Sequence, residues 1–137
     1  MTWSEVNNIF IWNNKIQLID VSWFDKLWKL EINNNEIRFI SDLKLPITIR
    51  HLNISNNNLT SLKLIEKYSK LKTIDISNNK LTDKDFEYFK WMKNFKYINM
   101  EWNEVSEELL LKINKFNSMY LRNNEEPFKI VEKSFDN

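Results

Sequence analysis

The residues of this sequence that are best suited to acid–base or nucleophilic chemistry are one histidine and its possible hydroxyl partners. His51 is the only histidine, and Ser55 and Thr73 are the side chains that it could activate as nucleophiles. Such a pair needs a third group that orients the imidazole, and the sequence pattern identifies none. One histidine without cysteine also makes a metal site improbable. Because the chain has no glycine, no glycine-rich phosphate loop is possible. The sequence therefore predicts neither an enzyme nor a bound cofactor.

An eleven-residue pattern recurs along the chain and determines where these side chains lie. Its clearest copy is residues 71–81, LKTIDISNNKL, with apolar residues at positions 1, 4, 6 and 11 and Asn79 at position 9. Further copies begin at residues 6, 27, 49, 95 and 116, so the period is roughly 21 to 24 residues. The last copy fails at its final position, where Glu126 replaces an apolar residue. A self-similar period of this length predicts a solenoid of stacked repeats.

The pattern resembles the leucine-rich repeat consensus, L-x-x-L-x-L-x-x-N-x-L, over about residues 6–126. The resemblance implies an α/β fold, a curved solenoid (horseshoe) with one short parallel strand per repeat on the concave face. Helices and irregular turns are then expected on the convex face. We expect one domain over residues 1–137. Residues 127–137 are expected to form a C-terminal cap, because the last repeat must shield its core from water.

The connectors between the copies predict an irregular convex side at first and helices later. The first connector, QLIDVSWFDK, is rich in β-branched and aromatic residues, and Pro46 disfavours a helix in the second. Residues 61–70, 82–94 and 106–115 instead carry apolar side chains at helical spacing.

Asparagine pairs occupy positions 8 and 9 in most copies. With no glycine in the chain, asparagine is the next best residue for a turn with positive φ, so the first asparagine is expected to form the turn. The second is expected to be buried and to bond backbone groups that the turn leaves unpaired. This predicted ladder consists of Asn14, Asn35, Asn57, Asn79, Asn103 and Asn124.

Strand alternation places positions 3, 5, 7 and 8 of each copy on the concave face. Aromatic and arginine side chains dominate binding hot spots, so their positions there suggest where a partner would bind. Trp102 is notable because the other copies have asparagine at its position. Phe10 and Trp12, at the N-terminal edge, fit a capping role as well as a binding role. The candidate partner-binding residues are Phe10, Trp12, His51, Asp75, Tyr97, Glu101, Trp102, Tyr120 and Arg122.

Three carboxylates, Glu31, Asp75 and Glu101, also fall on the predicted concave face. They belong to different strands of an open surface, about 5 to 15 Å apart at one to three strand spacings. We therefore expect a solvated acidic face rather than a pair of carboxylates tuned for acid–base catalysis.

The resemblance and this surface together indicate a non-enzymatic protein–protein interaction module that binds a partner protein through its concave face. The alternative is a self-associating scaffold, a homo-oligomer held by its exposed aromatic side chains. The net charge of +1 gives no reason to expect nucleic acid or a membrane as partner. The first residues do not resemble a signal peptide, and no segment approaches about 20 apolar residues. The absence of cysteine fits a cytoplasmic, intracellular protein. The abundance of asparagine, lysine and isoleucine suggests an AT-rich genome.

Overall fold

A parallel five-stranded sheet forms one side of the molecule. The computed structural model describes residues 5–122, with side chains described up to residue 118. In chain order the strands are β1 (Asn8–Phe10), β2 (Ile19–Asp20), β3 (Lys29–Glu31), β4 (Leu43–Lys44), β5 (His51–Asn53), β6 (Thr73–Asp75) and β7 (Tyr97–Asn99). The large sheet has the order β1-β3-β5-β6-β7, and equivalent residues of successive repeats pair in register.

The hydrophobic core is a line behind this sheet, built from the same template positions in each repeat. In β3 and just after it, Leu30 and Ile32 point inward and are fully buried, as are Ile74 and Ile76 in and after β6. A single repeat has no second layer on which to bury these side chains, so neighbouring repeats must stack. The predicted solenoid architecture is confirmed.

The convex side changes from extended to helical along the chain, as the connectors predict. β2 and β4 form a small parallel pair behind the first repeats. Short 3₁₀ helices follow at Ile40–Asp42, Ile65–Lys67 and Asp83–Phe89. The last described element is helix α1, Glu107–Arg122.

The sixth strand predicted in the copy that begins at residue 116 is wrong, because α1 continues through these residues to residue 122. The Ser106 hydroxyl accepts a hydrogen bond from the Leu109 N–H at 3.1 Å, which satisfies one unpaired donor at the helix start. Leu109 and Ile113 then recur at helical spacing and are buried. The apolar residues of this segment fit the spacing of a helix as well as that of a repeat strand. Packing of the helix against the end of the sheet decides between the two. The predicted cap at 127–137 lies outside the described residues.

Asn117 of α1 covers the last strand of the sheet. Its Oδ1 accepts the N–H of Ile98 at 3.0 Å, and its Nδ2 donates to the carbonyl of Ile98 at 2.7 Å. A sixth strand would make the same two bonds with its backbone. A side-chain amide thus takes the place of a strand and protects an edge that would otherwise expose unpaired groups.

Replacing Asn117 with alanine is expected to lower the free energy of unfolding by about 1 to 1.5 kcal/mol, because the backbone N–H and carbonyl of Ile98 lose their partner. Urea unfolding measures the change. Asn114→Ala is the matched control, since Asn114 lies on the exposed side of the same helix and gains the same helix propensity. Equal effects of the two substitutions would contradict the edge-capping role.

Candidate binding surface on the concave face

The asparagines at position 9 fasten each turn to its neighbours. Asn79 Nδ2 donates to the carbonyls of Ile54 at 3.0 Å, Ile76 at 3.0 Å and Ser77 at 3.2 Å. Asn79 Oδ1 accepts the N–H of Leu59, in the preceding repeat, at 2.9 Å. Equivalent sets of bonds are made by Asn35, Asn57 and Asn103.

The two ends of the predicted ladder differ from its centre. Asn14 is exposed and has one described hydrogen bond, from its Nδ2 to the carbonyl of Trp12 at 2.7 Å. It has no earlier ladder repeat against which to bond. Asn124 lies outside the described residues.

The turn after each strand of the five-stranded sheet contains one residue in the left-handed region. Four are asparagines, Asn13, Asn34, Asn56 and Asn78, with φ between 54 and 59°. The fifth is Trp102, with φ of 61°. Asparagine tolerates this region, but a bulky aromatic residue there is an outlier. Trp102 therefore keeps the backbone of the repeat while replacing its favoured residue.

Exposed aromatic side chains stand at both ends of the concave face. At the N-terminal end, Phe10 is 50% exposed and Trp12 is 46% exposed. Their rings meet edge to face at a centroid distance of 5.9 Å, and Lys29 Nζ lies 5.8 Å from the Phe10 ring centre. At the other end Trp102 is 76% exposed, next to the partly exposed Glu101.

The floor between these aromatics is buried, which corrects the expectation of a solvated face. Asp75 is 3% exposed and Tyr97 is 1% exposed, and Glu31 and Thr73 are buried too. Adjacent strands lie about 4.8 Å apart, so side chains on neighbouring strands shield one another. The burial of Tyr97 also removes it from the exposed aromatic group in which the sequence placed it.

Position 5 carries a hydrogen-bonding role that the sequence reasoning missed. In three successive repeats the Oδ1 of this residue accepts the N–H of the residue two positions later, at 3.0 Å. The acceptors are Asn53, Asp75 and Asn99. The available signal was the run of asparagine and aspartate at this position, since both form such local bonds.

Asp75 differs from its two asparagine neighbours because it can carry a charge. Its pKa is raised to about 6, mainly by burial and to a smaller extent by the negative charges of Glu101 and Glu31. Bonds from the Ser77 hydroxyl at 2.7 Å and the Ser77 N–H at 3.0 Å act in the opposite direction. Burial and the same acidic field, from Asp75 and Glu101, raise the pKa of the Tyr97 hydroxyl above its usual range.

His51 Nδ1 and Thr73 Oγ1 are hydrogen-bonded at a distance of 2.7 Å, and the His51 ring meets Trp28 edge-on at a centroid distance of 5.3 Å. The pKa of His51 is lowered to about 4, mainly by burial and to a smaller extent by the positive charges of Lys29, Lys72 and Arg50. An imidazole of such low basicity is a poor proton acceptor for the Thr73 hydroxyl at neutral pH. The geometry brings the two groups together and the electrostatics disfavour catalysis by them.

Tyr120 and Arg122 were predicted to lie on or just after a sixth strand of the concave face. Both lie in α1, because the sixth strand is replaced by that helix. Among the described residues, no cluster of three or more histidine, cysteine or acidic side chains could hold a metal ion. The described helices likewise include none with the length and apolar character needed to cross a bilayer.

One strand per repeat, in-register parallel pairing and an asparagine ladder define a parallel-strand solenoid. The fold is that of a leucine-rich-repeat solenoid, and a family model described as leucine rich repeats (2 copies) matches residues 47–91. An internalin from Listeria monocytogenes has a similar structure, with a TM-score of 0.66 and 26% sequence identity. The match covers 76% of this chain and 31% of the internalin chain. A search of curated proteins finds no significant match.

Proposed function

We propose that this chain is a non-enzymatic protein-interaction module whose concave face binds a partner protein. Leucine-rich-repeat domains are in general protein–protein interaction modules. The observation that carries the proposal for this face is Trp102, an exposed aromatic side chain in a backbone conformation that suits asparagine.

Trp102 is unfavourable for the isolated protein in two ways. A left-handed conformation costs about 1 to 2 kcal/mol for residues other than glycine and asparagine. An indole with most of its surface in water also loses the stabilisation that its burial would give. A residue that keeps such strain at the surface suggests a binding role. Tryptophan is also the residue type most enriched at interface hot spots.

The opposite end of the face supplies a second aromatic group. Phe10 and Trp12 lie on and just after β1, four strand spacings from the last strand, which is about 19 Å. A partner that spans the face would contact this pair at one end and Trp102 at the other. The contact between the two rings holds Trp12 in a fixed place, so less side-chain entropy is lost on binding.

The buried floor supports this function by stiffening the surface. The Asp75–Ser77 and His51–Thr73 hydrogen bonds fix side chains between the two aromatic groups. Glu101 adds an accessible negative charge beside Trp102. In this proposal Phe10, Trp12, Trp102 and Glu101 contact the partner. Asp75, His51 and Tyr97 form the rigid floor between them. A cytoplasmic location stays a prediction from the sequence.

Trp102→Asn is the substitution that tests this proposal. It restores the residue that the other repeats use at this turn, so we expect unchanged or higher thermal stability. Capture of the partner from cell lysate, quantified by mass spectrometry, is expected to fall at least about tenfold, as for loss of a hot spot. Trp91→Asn is the matched control, since Trp91 is exposed on the convex side. Undiminished capture by Trp102→Asn would remove the proposed anchor.

Self-association is the competing explanation for the same exposed aromatics. Light scattering across a range of protein concentrations separates the two. A monomer at all concentrations supports the partner-binding function, whereas a dimer that Trp102→Asn dissociates supports the scaffold.

A further inference from the structure

The N-terminal ends of the strands carry a row of exposed or partly exposed cationic side chains. We call this row the basic rim, and its members are Lys26, Arg50, Lys70, Lys72, Lys93 and Lys96. The whole chain is close to neutral, with 20 basic and 19 acidic residues. None of these acidic residues falls in the segments 26–29, 48–51, 70–73 and 93–96. Positive charge is thus concentrated along one edge of the sheet.

Backbone hydrogen bonds hold the centre of the basic rim in register. The N–H of Arg50 donates to the carbonyl of Trp28 at 2.8 Å. The N–H of Lys72 donates to Arg50, and that of Lys96 to Lys72, each at 2.7 Å. Arg50, Lys72 and Lys96 are therefore one strand spacing apart, about 4.8 Å per step. Like charges at such spacing repel, and an anion laid along the row would relieve that repulsion.

The cations of the basic rim have no acidic side chain that neutralises them in the described part of the chain. The ion pairs found there involve lysines outside the rim, Lys90 with Glu87 and Lys112 with Glu108. The field of the rim extends to the concave face, where Lys72 and Arg50 add to the effect of burial on the pKa of His51.

An open pocket of about 420 Å³ adjoins the first members of the basic rim. It is lined by Asn7, Lys26, Trp28, Thr48 and Arg50. Two cations and two neutral polar side chains can bind a carboxylate, and the partly exposed indole can contact an apolar group next to it. The pocket therefore suits a ligand that combines negative charge with an apolar side chain.

We propose that the basic rim binds an acidic segment of a partner protein, with an aromatic or aliphatic side chain of that segment against Trp28. From Trp28 to Lys96 the row spans three strand spacings, about 14 Å, the length of four to five residues of an extended chain. Glutamates or aspartates at alternate positions of that chain face the cations. The assignment rests on the proposed function, since it describes the chemistry of the same partner.

The observations favour a peptide over a nucleic acid. Binding of a phosphate backbone depends on many phosphate contacts and on counterion release over a broad positive surface. Here a single row of cations lies on a nearly neutral protein. Base-stacking surfaces are also limited, since Trp28 is the one aromatic side chain lining the rim pocket.

Fluorescence anisotropy with a labelled peptide tests the proposal. The probe alternates glutamate with serine and carries one phenylalanine, and the buffer has low salt, about 50 mM, so that screening is weak. We expect the double variant Arg50→Glu/Lys72→Glu to bind the peptide at least about tenfold more weakly. Lys63→Glu/Lys80→Glu changes the net charge equally at exposed sites outside the rim and is expected to change affinity less than about twofold. The single variant Lys72→Gln, with a smaller expected loss, guards against any folding defect of the double variant.

Two results would overturn the proposal. One is equal loss of peptide binding in the rim variant and its control. The other is tighter binding of an oligothymidylate, or of phosphatidylserine vesicles, than of the peptide by the wild-type chain.

The peptide-binding and capture experiments together distinguish the two proposals, because Trp102→Asn leaves the basic rim intact. Loss of capture by Trp102→Asn without rim-dependent peptide binding overturns only the acidic-segment inference. Rim-dependent peptide binding with undiminished capture by Trp102→Asn overturns only the concave anchor.

Discussion

Replacement of Asn79 by alanine is expected to lower the free energy of unfolding by about 3 kcal/mol. The Asn79 amide is the described partner of the Leu59 N–H and also donates to carbonyls in its own and the preceding repeat. Alanine leaves the buried Leu59 N–H without its described partner. The carbonyls of Ile54 and Ile76 each lose one hydrogen bond and keep a second one, from Asn57 and Asn103. Each buried donor or acceptor left unpaired costs about 1 to 3 kcal/mol. A domain of this size has a total stability of about 5 to 15 kcal/mol, so the loss is a large fraction of it.

The first repeat supplies the control for Asn79→Ala. Asn14 has the same template position, but it is exposed and its described bond reaches only Trp12, two residues away. Asn14→Ala is therefore expected to change stability by less than about 0.5 kcal/mol. Urea unfolding compares the two variants, and hydrogen exchange of the Leu59 amide reports the local effect. If both variants lose equal stability, the inter-repeat bonds do not carry the energy assigned to them.

Sequence reasoning succeeded where the physics is periodic. The inward apolar positions are set by strand alternation, and the turn conformation needs a residue that tolerates positive φ. Both requirements recur once per repeat, so the inward apolar residues and the turn residue of any one copy identify those of the other copies. Ile74, Ile76 and Asn78 in one repeat predict the conformations of their counterparts in the others.

It failed where the periodicity ends. The copy that begins at residue 116 has the repeat pattern, yet residues 107–122 form a helix. At the last strand no further repeat supplies hydrogen-bond partners, and a helix that carries Asn117 toward Ile98 meets the same need. The apolar pattern of this segment is compatible with a strand and with a helix. The choice between strand and helix depends on tertiary contacts at the end of the sheet, which the pattern does not contain.

The electrostatics of the concave face were also beyond the pattern. Alternation puts Asp75 on the side of the sheet opposite to the core residues Ile74 and Ile76, but it does not give the depth of the Asp75 side chain between its neighbours. Burial of Asp75 depends on the side chains of the adjacent strands, and its altered pKa follows from that burial. The basic rim was missed for a related reason: its cations are far apart in sequence and adjacent only across the strands.

Asp75→Asn is expected to raise the free energy of unfolding at pH 7 by about 3 kcal/mol. The folded-state pKa of Asp75 is about 6, above the usual value of 3.8, mainly because burial disfavours the charged form. A pKa that is one higher in the folded chain than in the unfolded chain corresponds to about 1.4 kcal/mol, which the fold loses when the buried carboxyl is deprotonated. Asparagine resembles the protonated carboxyl, carries no charge and can still accept both bonds from Ser77. The neighbouring repeats already use Asn53 and Asn99 for the equivalent bond.

The sign of the pH dependence distinguishes this mechanism from a general packing effect. Because the folded-state pKa is raised, the folded chain binds a proton more tightly than the unfolded chain between about pH 4 and pH 6. The stabilisation by the protonated group is complete below pH 3.8 and is lost as the pH rises through about 6. The advantage of Asp75→Asn over wild type should therefore be near zero at about pH 4 and should grow to its full value by about pH 7.

Urea unfolding of the two proteins at several pH values measures that difference directly. Groups that titrate equally in both proteins contribute equally to the two free energies of unfolding. Their contributions cancel when the wild-type value at each pH is subtracted from that of Asp75→Asn. Asp25→Asn, at an exposed site, is the matched control and is expected to differ from wild type by less than about 0.5 kcal/mol at every pH. An advantage of Asp75→Asn that stays constant from acid to neutral pH would contradict the titration of Asp75. The negative charge of the buried Asp75, opposite in sign to the charge of the basic rim, would then not destabilise the folded chain.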